Sequence, residues 1–211
     1  MRRFVTLFTS VSMLVGTAGA LSAQVRDRGL VELPPQPVRA GFYVTAGLGN
    51  GMEQYKYSDD PLGYTDWLSS PAVAVRVGGT PNASLRIGAE LFGWWNSFYD
   101  GTAASHATDS FSAILLDGQF YPAPRSGFYV KGGVGIARSA ESFDCCQTVS
   151  ENGFGWSAGA GYDLPLSRNV AISPVVDFYQ GSFAERGAPT ITEHVLNIGV
   201  SLTFQAGRSR F

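Results

Sequence analysis

From Gly41 to Phe204 apolar residues alternate with polar or small ones, and eight runs with this period of two can be marked. They are Gly41–Gly49, Pro71–Gly79, Ser84–Trp95, Phe111–Tyr121, Gly127–Ala137, Phe154–Leu164, Val170–Tyr179 and Val195–Phe204. A period of two marks a strand with two unlike faces. The connections alternate as well. Short ones (80–83, 122–126, 165–169) follow the second, fourth and sixth runs, and long ones (50–70, 96–110, 138–153, 180–194) follow the first, third, fifth and seventh. Each strand with its connection takes about 20 residues, room for strands of about 9 to 11 residues crossing a bilayer at a tilt. Short turns on one rim and long loops on the other predict an all-β, eight-stranded antiparallel up-and-down transmembrane β-barrel.

One face of these strands is free of charge. It carries Phe42, Val44, Leu48, Val75, Val77, Ile87, Leu91, Ile114, Leu116, Val130, Val134, Ile136, Val176, Ile198, Val200, Leu202 and Phe204, among others. The opposite face carries Arg76, Arg86, Glu90, Asp117, Lys131, Asp163 and Asp177, with many glycines. A soluble barrel turns its apolar face inward; a membrane barrel turns it to lipid and keeps a polar lumen. The small residues beside the charges suit the narrow interior of an eight-stranded barrel. Three positive charges stand against four negative ones, so pairing inside the lumen is feasible, whereas isolated buried charges are costly. Aromatics gather at both strand ends: Phe42, Tyr43, Phe120, Tyr121, Phe128, Tyr129, Tyr162 and Phe204 at the short-turn rim, and Trp67, Trp94, Trp95, Phe98, Trp156, Phe178 and Tyr179 at the other. Both sets read as belts at the two membrane surfaces.

Ahead of the strands, Met1-Arg2-Arg3 precedes an uncharged stretch from Phe4 to Ala23, the form of a secretory signal peptide, with cleavage expected after Ala20 or Ala23. Residues 24–40, containing Pro34, Pro35 and Pro37, read as an extended periplasmic leader. Residues 41–204 form the barrel and 205–211 a short tail. No other segment supplies 18 uninterrupted apolar residues, which excludes a helical membrane bundle. Among 211 residues only 15% are charged while 26 are glycine, and the net charge of -2 gives no basic footprint for a nucleic acid.

The last run, Asn197-Ile198-Gly199-Val200-Ser201-Leu202-Thr203-Phe204, resembles the C-terminal signal read by the outer-membrane assembly machinery, with Asn197, Gly199, Leu202 and Phe204 at the matching positions. It departs from that pattern in that Gln205 to Phe211 follow the phenylalanine. The whole of 41–204 resembles the small OmpA-like and OmpX-like outer-membrane β-barrels. That resemblance implies residence in the outer membrane of a Gram-negative-type bacterium, lipids and lipopolysaccharide as surroundings, and the assembly machinery as a partner. It implies no particular activity.

Sorted by compartment, the long connections hold eleven acids (Glu53, Asp59, Asp60, Asp66, Asp100, Asp109, Glu141, Asp144, Glu151, Glu185 and Glu193) against Lys56, Arg138 and Arg186. No spacing of metal ligands stands out among them, so they read as solvated loop charge. Cys145 and Cys146, the only cysteines, read as a redox-active or intermolecularly paired loop feature. His106, with Ser105, Asp109 and Ser110 nearby, raises acyl transfer to or from lipid A at the outer rim; a polar loop histidine explains it more simply, and His194 is weaker still. Gly153-Phe154-Gly155-Trp156-Ser157-Ala158 opens no helix and so fails as a dinucleotide loop. The expectation is a non-enzymatic barrel without cofactor or metal, with a packed polar lumen, serving envelope integrity or contacts with an external partner. A narrow solute channel is the first alternative, and a lipid A-modifying enzyme the second.

Overall fold

The computed structural model describes residues 39–100, 105–144, 148–184 and 189–206. The signal peptide, most of the leader, Cys145, Cys146, Glu185, Arg186 and the tail beyond Ala206 lie outside the described residues. The strands are β1 (Gly41–Tyr57), β2 (Leu68–Asn82), β3 (Leu85–Asp100), β4 (Ser105–Phe120), β5 (Phe128–Phe143), β6 (Val149–Tyr162), β7 (Leu164–Pro165), β8 (Val170–Phe183) and β9 (Ile191–Ala206). β7 is a two-residue continuation of β6 beyond Asp163, so the wall has eight staves. Each stave pairs antiparallel with its sequence neighbours, and β1 pairs with β9 from Phe42↔Ala206 to Tyr57↔Ile191, which closes the barrel.

The short turns are built by their own side chains. Asn82 Oδ1 accepts from Ser84 N at 2.9 Å between β2 and β3, and Ser126 Oγ accepts from Phe128 N at 3.1 Å before β5. Such side-chain to backbone bonds are what Asn and Ser contribute to tight turns. The long-loop side departs from expectation. The strands run 14 to 17 residues and continue well past the apolar band, leaving only 58–67, 101–104, 144–148 and 184–190 as connections. Above the band both faces are polar, so the ladder continues without the hydrophobic alternation that reveals a strand.

The face assignment holds. Leu48 (72% exposed), Leu91, Ile114, Leu116, Ile136, Ile198, Val200 and Leu202 point outward, whereas Arg76, Arg86, Glu90, Asp117, Lys131, Asp163 and Asp177 are buried inside. The outward apolar band runs from Phe42, Phe120 and Phe204 up to Trp95, Ile136, Phe154 and Leu196, and beyond it come Gln54, Arg138, Asn152, Gln180 and His194. The aromatic belts need correction. Phe42, Phe120, Phe128, Tyr162, Phe204 and Trp95 face outward and Trp67 is exposed, but Tyr43, Tyr121, Tyr129, Trp94 and Tyr179 are buried in the lumen, and Phe98, paired with the buried Ala107, lies on the lumen side of β3. A strand end holds aromatics of both parities, and only one parity reaches lipid.

Candidate functional site

The lumen is filled in layers. At the short-turn end Arg86 donates to the Tyr121 hydroxyl, to Gln205 Oε1 at 2.7 Å and to Asp163 Oδ2 at 3.3 Å. Asp163 also accepts from Tyr121 OH at 2.9 Å and from Ser173 Oγ at 2.7 Å. Arg39 belongs here too, although the sequence places it in the leader. Its guanidinium lies 3.6 Å from the Tyr121 ring centroid, donates to Pro124 O at 2.7 Å and Ser126 O at 2.8 Å, and stands 3.8 Å from Asp163. Gly41, at φ 83°, takes a left-handed conformation open to glycine at no steric cost where the chain passes from Arg39 into β1. With Arg39 included, the four cations Arg39, Arg76, Arg86 and Lys131 face the four acids Glu90, Asp117, Asp163 and Asp177 in this part of the lumen, so the surplus acid in the sequence tally disappears there.

The central layer follows from strand register. Arg76 and Glu90 are direct cross-strand partners, with Arg76 Nε donating to Glu90 Oε1 at 2.9 Å. Lys131 Nζ donates to both Glu90 oxygens at 2.8 and 3.0 Å, and Tyr179 OH to Oε1 at 2.6 Å. Asp177 completes the cluster, 3.1 Å from Arg76 and 3.3 Å from Lys131. Asp117 lies in the same lumen, yet neither of its oxygens has a hydrogen-bond partner among the described residues, so the expected seven-member network has six paired members. They fall into two clusters, Arg86 with Asp163 and Arg76, Glu90, Lys131 with Asp177.

Above the charges the lumen turns apolar, which corrects the expectation of a polar interior throughout. Phe92 stacks on Tyr179 with centroids 3.7 Å apart, and Phe111 sits 6.1 Å from Phe92 and 6.5 Å from Phe183. Ala72, Ala74, Ala113, Leu115, Ala137 and Val195 fill the remaining space. Trp94 caps the plug, its Nε1 donating to Gly51 O at 3.0 Å. Gly51 has to be glycine, because the indole occupies the place of a Cβ.

On top of the plug, at the long-loop mouth, is a cavity of about 370 Å³. Five of the eleven loop acids line it: Glu53, Asp109, Glu141, Glu151 and Glu193. They sit on strands with lumen parity, so the expectation of loop positions is wrong for these five, and that of solvated charge is wrong for the buried Glu53 and Glu193, while Glu141 stays exposed. Glu53 and Glu193 are each only 5% exposed. Burial, then the neighbouring Asp109 charge, pushes the Glu53 carboxyl up to about 7. Burial and Glu53 push Glu193 up to about 8, against a hydrogen bond from Ser139, and burial with Glu141 pushes Asp109 up to about 6. Tyr55 and Tyr57, packed edge to face with centroids 5.8 Å apart, line the same cavity.

Residues 12–204 match the family model described as the outer membrane protein beta-barrel domain. The chain belongs to this family. It therefore lies in the outer membrane, with the apolar band in lipid. Comparison with curated protein sequences yields no match. Among solved structures the fold resembles Ail, the attachment invasion locus protein of Yersinia pestis in complex with the heparin analogue sucrose octasulfate, at 13% identity and TM-score 0.51, covering 78% of this chain and 99% of that one. Neisserial surface protein A is similar at 14% identity and TM-score 0.48, covering 79% and 98%. OprG from Pseudomonas aeruginosa is similar at 13% identity and TM-score 0.46, covering 81% and 99%.

Within this outer-membrane barrel the remaining sequence features find their places. On β9, Leu202 and Phe204 face lipid and Asn197 faces the lumen, with Gly199 packed against the β1 backbone at Leu48 and Gly49. The strand does not stop at Phe204: Gln205, assigned to the tail, is a buried lumen residue that also donates to Ala40 O at 3.2 Å. His106 and Asp109 stand on opposite faces of β4; His106 packs edge-on against Tyr99, with centroids 5.4 Å apart, while Asp109 lines the cavity. His194 faces outward, stacked on Tyr64 and 3.0 Å from Gln180 Oε1. Glu53 and Asp109 share the odd numbering of lumen residues on their own strands, Tyr43 on β1 and Asp117 on β4, a parity signal that sorting by compartment does not use.

Proposed function

We propose that this protein is a non-enzymatic outer-membrane barrel with a closed lumen, serving envelope integrity and surface interaction through its outer mouth. The observation that carries the reading is the plug. The Phe92–Tyr179 stack with Trp94, Phe111 and Phe183 sits directly on the Arg76–Glu90–Lys131–Asp177 cluster, so apolar and charged closures block the same axis. Eight-stranded barrels fill their interiors with side chains in this way. The opposite faces of His106 and Asp109 argue against the acyl-transfer alternative, since general base and orienting acid must lie within hydrogen-bond reach. Ail was solved with a polyanion. The five carboxylates at this mouth repel such a ligand, so the external partner here is of opposite charge. Planar bilayers containing the folded protein should show no steady conductance above background. Regular open-channel steps would overturn the closed-lumen reading in favour of the solute channel.

A further inference from the structure

We propose that the cavity at the long-loop mouth is a binding site for a small organic cation, a diamine or polyamine that sets ammonium groups among Glu53, Glu193 and Asp109 and its carbon stem against Tyr55, Tyr57 and Trp94. The inference deepens the surface-interaction reading and rests on the plug as the blind floor of the site.

Three independent observations point to a ligand. First, Glu53 is buried, lines the cavity and has no hydrogen bond or ion pair with any described residue. A buried carboxylate without a partner is a standing cost that a cation removes. Second, Asp109 and Glu141 are direct cross-strand partners in the β4–β5 register, a like-charge pair that destabilises a sheet unless positive charge lies beside it. Third, the upper-rim cations among the described residues are engaged elsewhere. Lys56 lies over the Tyr64 ring, 5.5 Å from its centroid, and Arg138 donates to Ser150 Oγ at 2.9 Å.

The cavity's chemistry selects the class of cation. No three of the carboxylates among the described residues are arranged to hold one metal ion, so a bare divalent cation is a poor fit. The space of about 370 Å³ suits a small molecule, and the paired tyrosine rings offer the faces on which alkylammonium groups bind. The groups facing the bound ammonium are Glu53 and the two tyrosines from β1, Asp109 from β4, Glu141 from β5, Glu151 from β6 and Glu193 from β9, with the Arg138–Ser150 contact at the edge. The empty cavity holds protons on the raised carboxyls, and each ammonium bound among them displaces protons to solvent. Affinity therefore rises with pH.

The test uses the folded full-length mature protein in detergent micelles, titrated calorimetrically with 1,6-diaminohexane, whose amines stay charged over the range used, as lysine does. Saturable binding is expected, about tenfold tighter at about pH 8.5 than at about pH 5.5, with proton release accompanying the weaker binding at the lower pH, where the free carboxyls still hold their protons. Glu53→Gln with Glu193→Gln should weaken it about tenfold or more, while Asp59→Asn with Asp60→Asn, in the β1–β2 loop, leaves it unchanged. Because the Gln pair removes buried like charge, it should keep its heat-dependent gel shift; Tyr57→Leu is the second probe and should also weaken binding. Absence of saturable binding, an equal loss in the loop variant, or equal potency of magnesium would overturn the site. Bilayer conductance reports separately on the closed lumen, so either idea can fail alone.

Discussion

Replacing Glu90 with alanine should lower the unfolding free energy by about 3–5 kcal/mol, measured by urea titration of the protein folded in lipid or detergent. Glu90 accepts from Arg76, Lys131 and Tyr179 at once. Its removal leaves two buried cations on Asp177 alone and strips the Tyr179 hydroxyl of its acceptor, leaving it only the bond it accepts from Lys131 at 3.2 Å. The cost comes from stranding those partners, since a buried ion pair adds little compared with an apolar filling of the same shape. Glu90→Gln, which keeps the volume and one acceptor, should lose less than the alanine variant. Equal stability of Glu90→Ala and the parent would show that the charge cluster is not what fills this level of the lumen.

Arginine at Val200 should cost about 2–4 kcal/mol, read from the same titration in bilayers. Val200 is the middle of the outward series Leu196, Ile198, Val200, Leu202 and Phe204 on β9, and it pairs with the exposed Leu48 across the β1–β9 seam. At the bilayer midplane a guanidinium has to stretch to the headgroups or pull water inward. Gln54→Arg, on the outward face above the apolar band, should change stability by less than about 1 kcal/mol. Similar costs at both positions would mean that the band is not where the lipid lies.

The outline of this barrel was legible because lipid and lumen impose opposite chemistry on alternate residues. Leu85, Ile87, Ala89 and Leu91 against Arg86 and Glu90 display that contrast within one strand, and the short turns announce themselves through Pro81-Asn82 and Pro122. What escaped was whatever lacked the contrast. Tyr179 and Trp94 sit at strand ends where belt aromatics also sit, and parity alone separates them. The upper halves of β1 and β4 alternate between two polar faces, so they read as loops and their inward acids as solvated. Arg39 and Gln205 lie outside the periodic span and reveal themselves only through the partners that the fold brings to them.

Those two residues carry a consequence for how the protein forms. Arg39 precedes the first strand and Gln205 nearly ends the last, yet both converge on the Arg86, Tyr121 and Asp163 group contributed by the middle of the chain. Arg86 obtains its Gln205 acceptor, and Asp163 its second cation, only once β1 has met β9. A half-inserted barrel thus leaves the charges at its short-turn end short of partners, and zippering the final seam supplies them together. The two ends of the polypeptide act as the latch of the closed barrel.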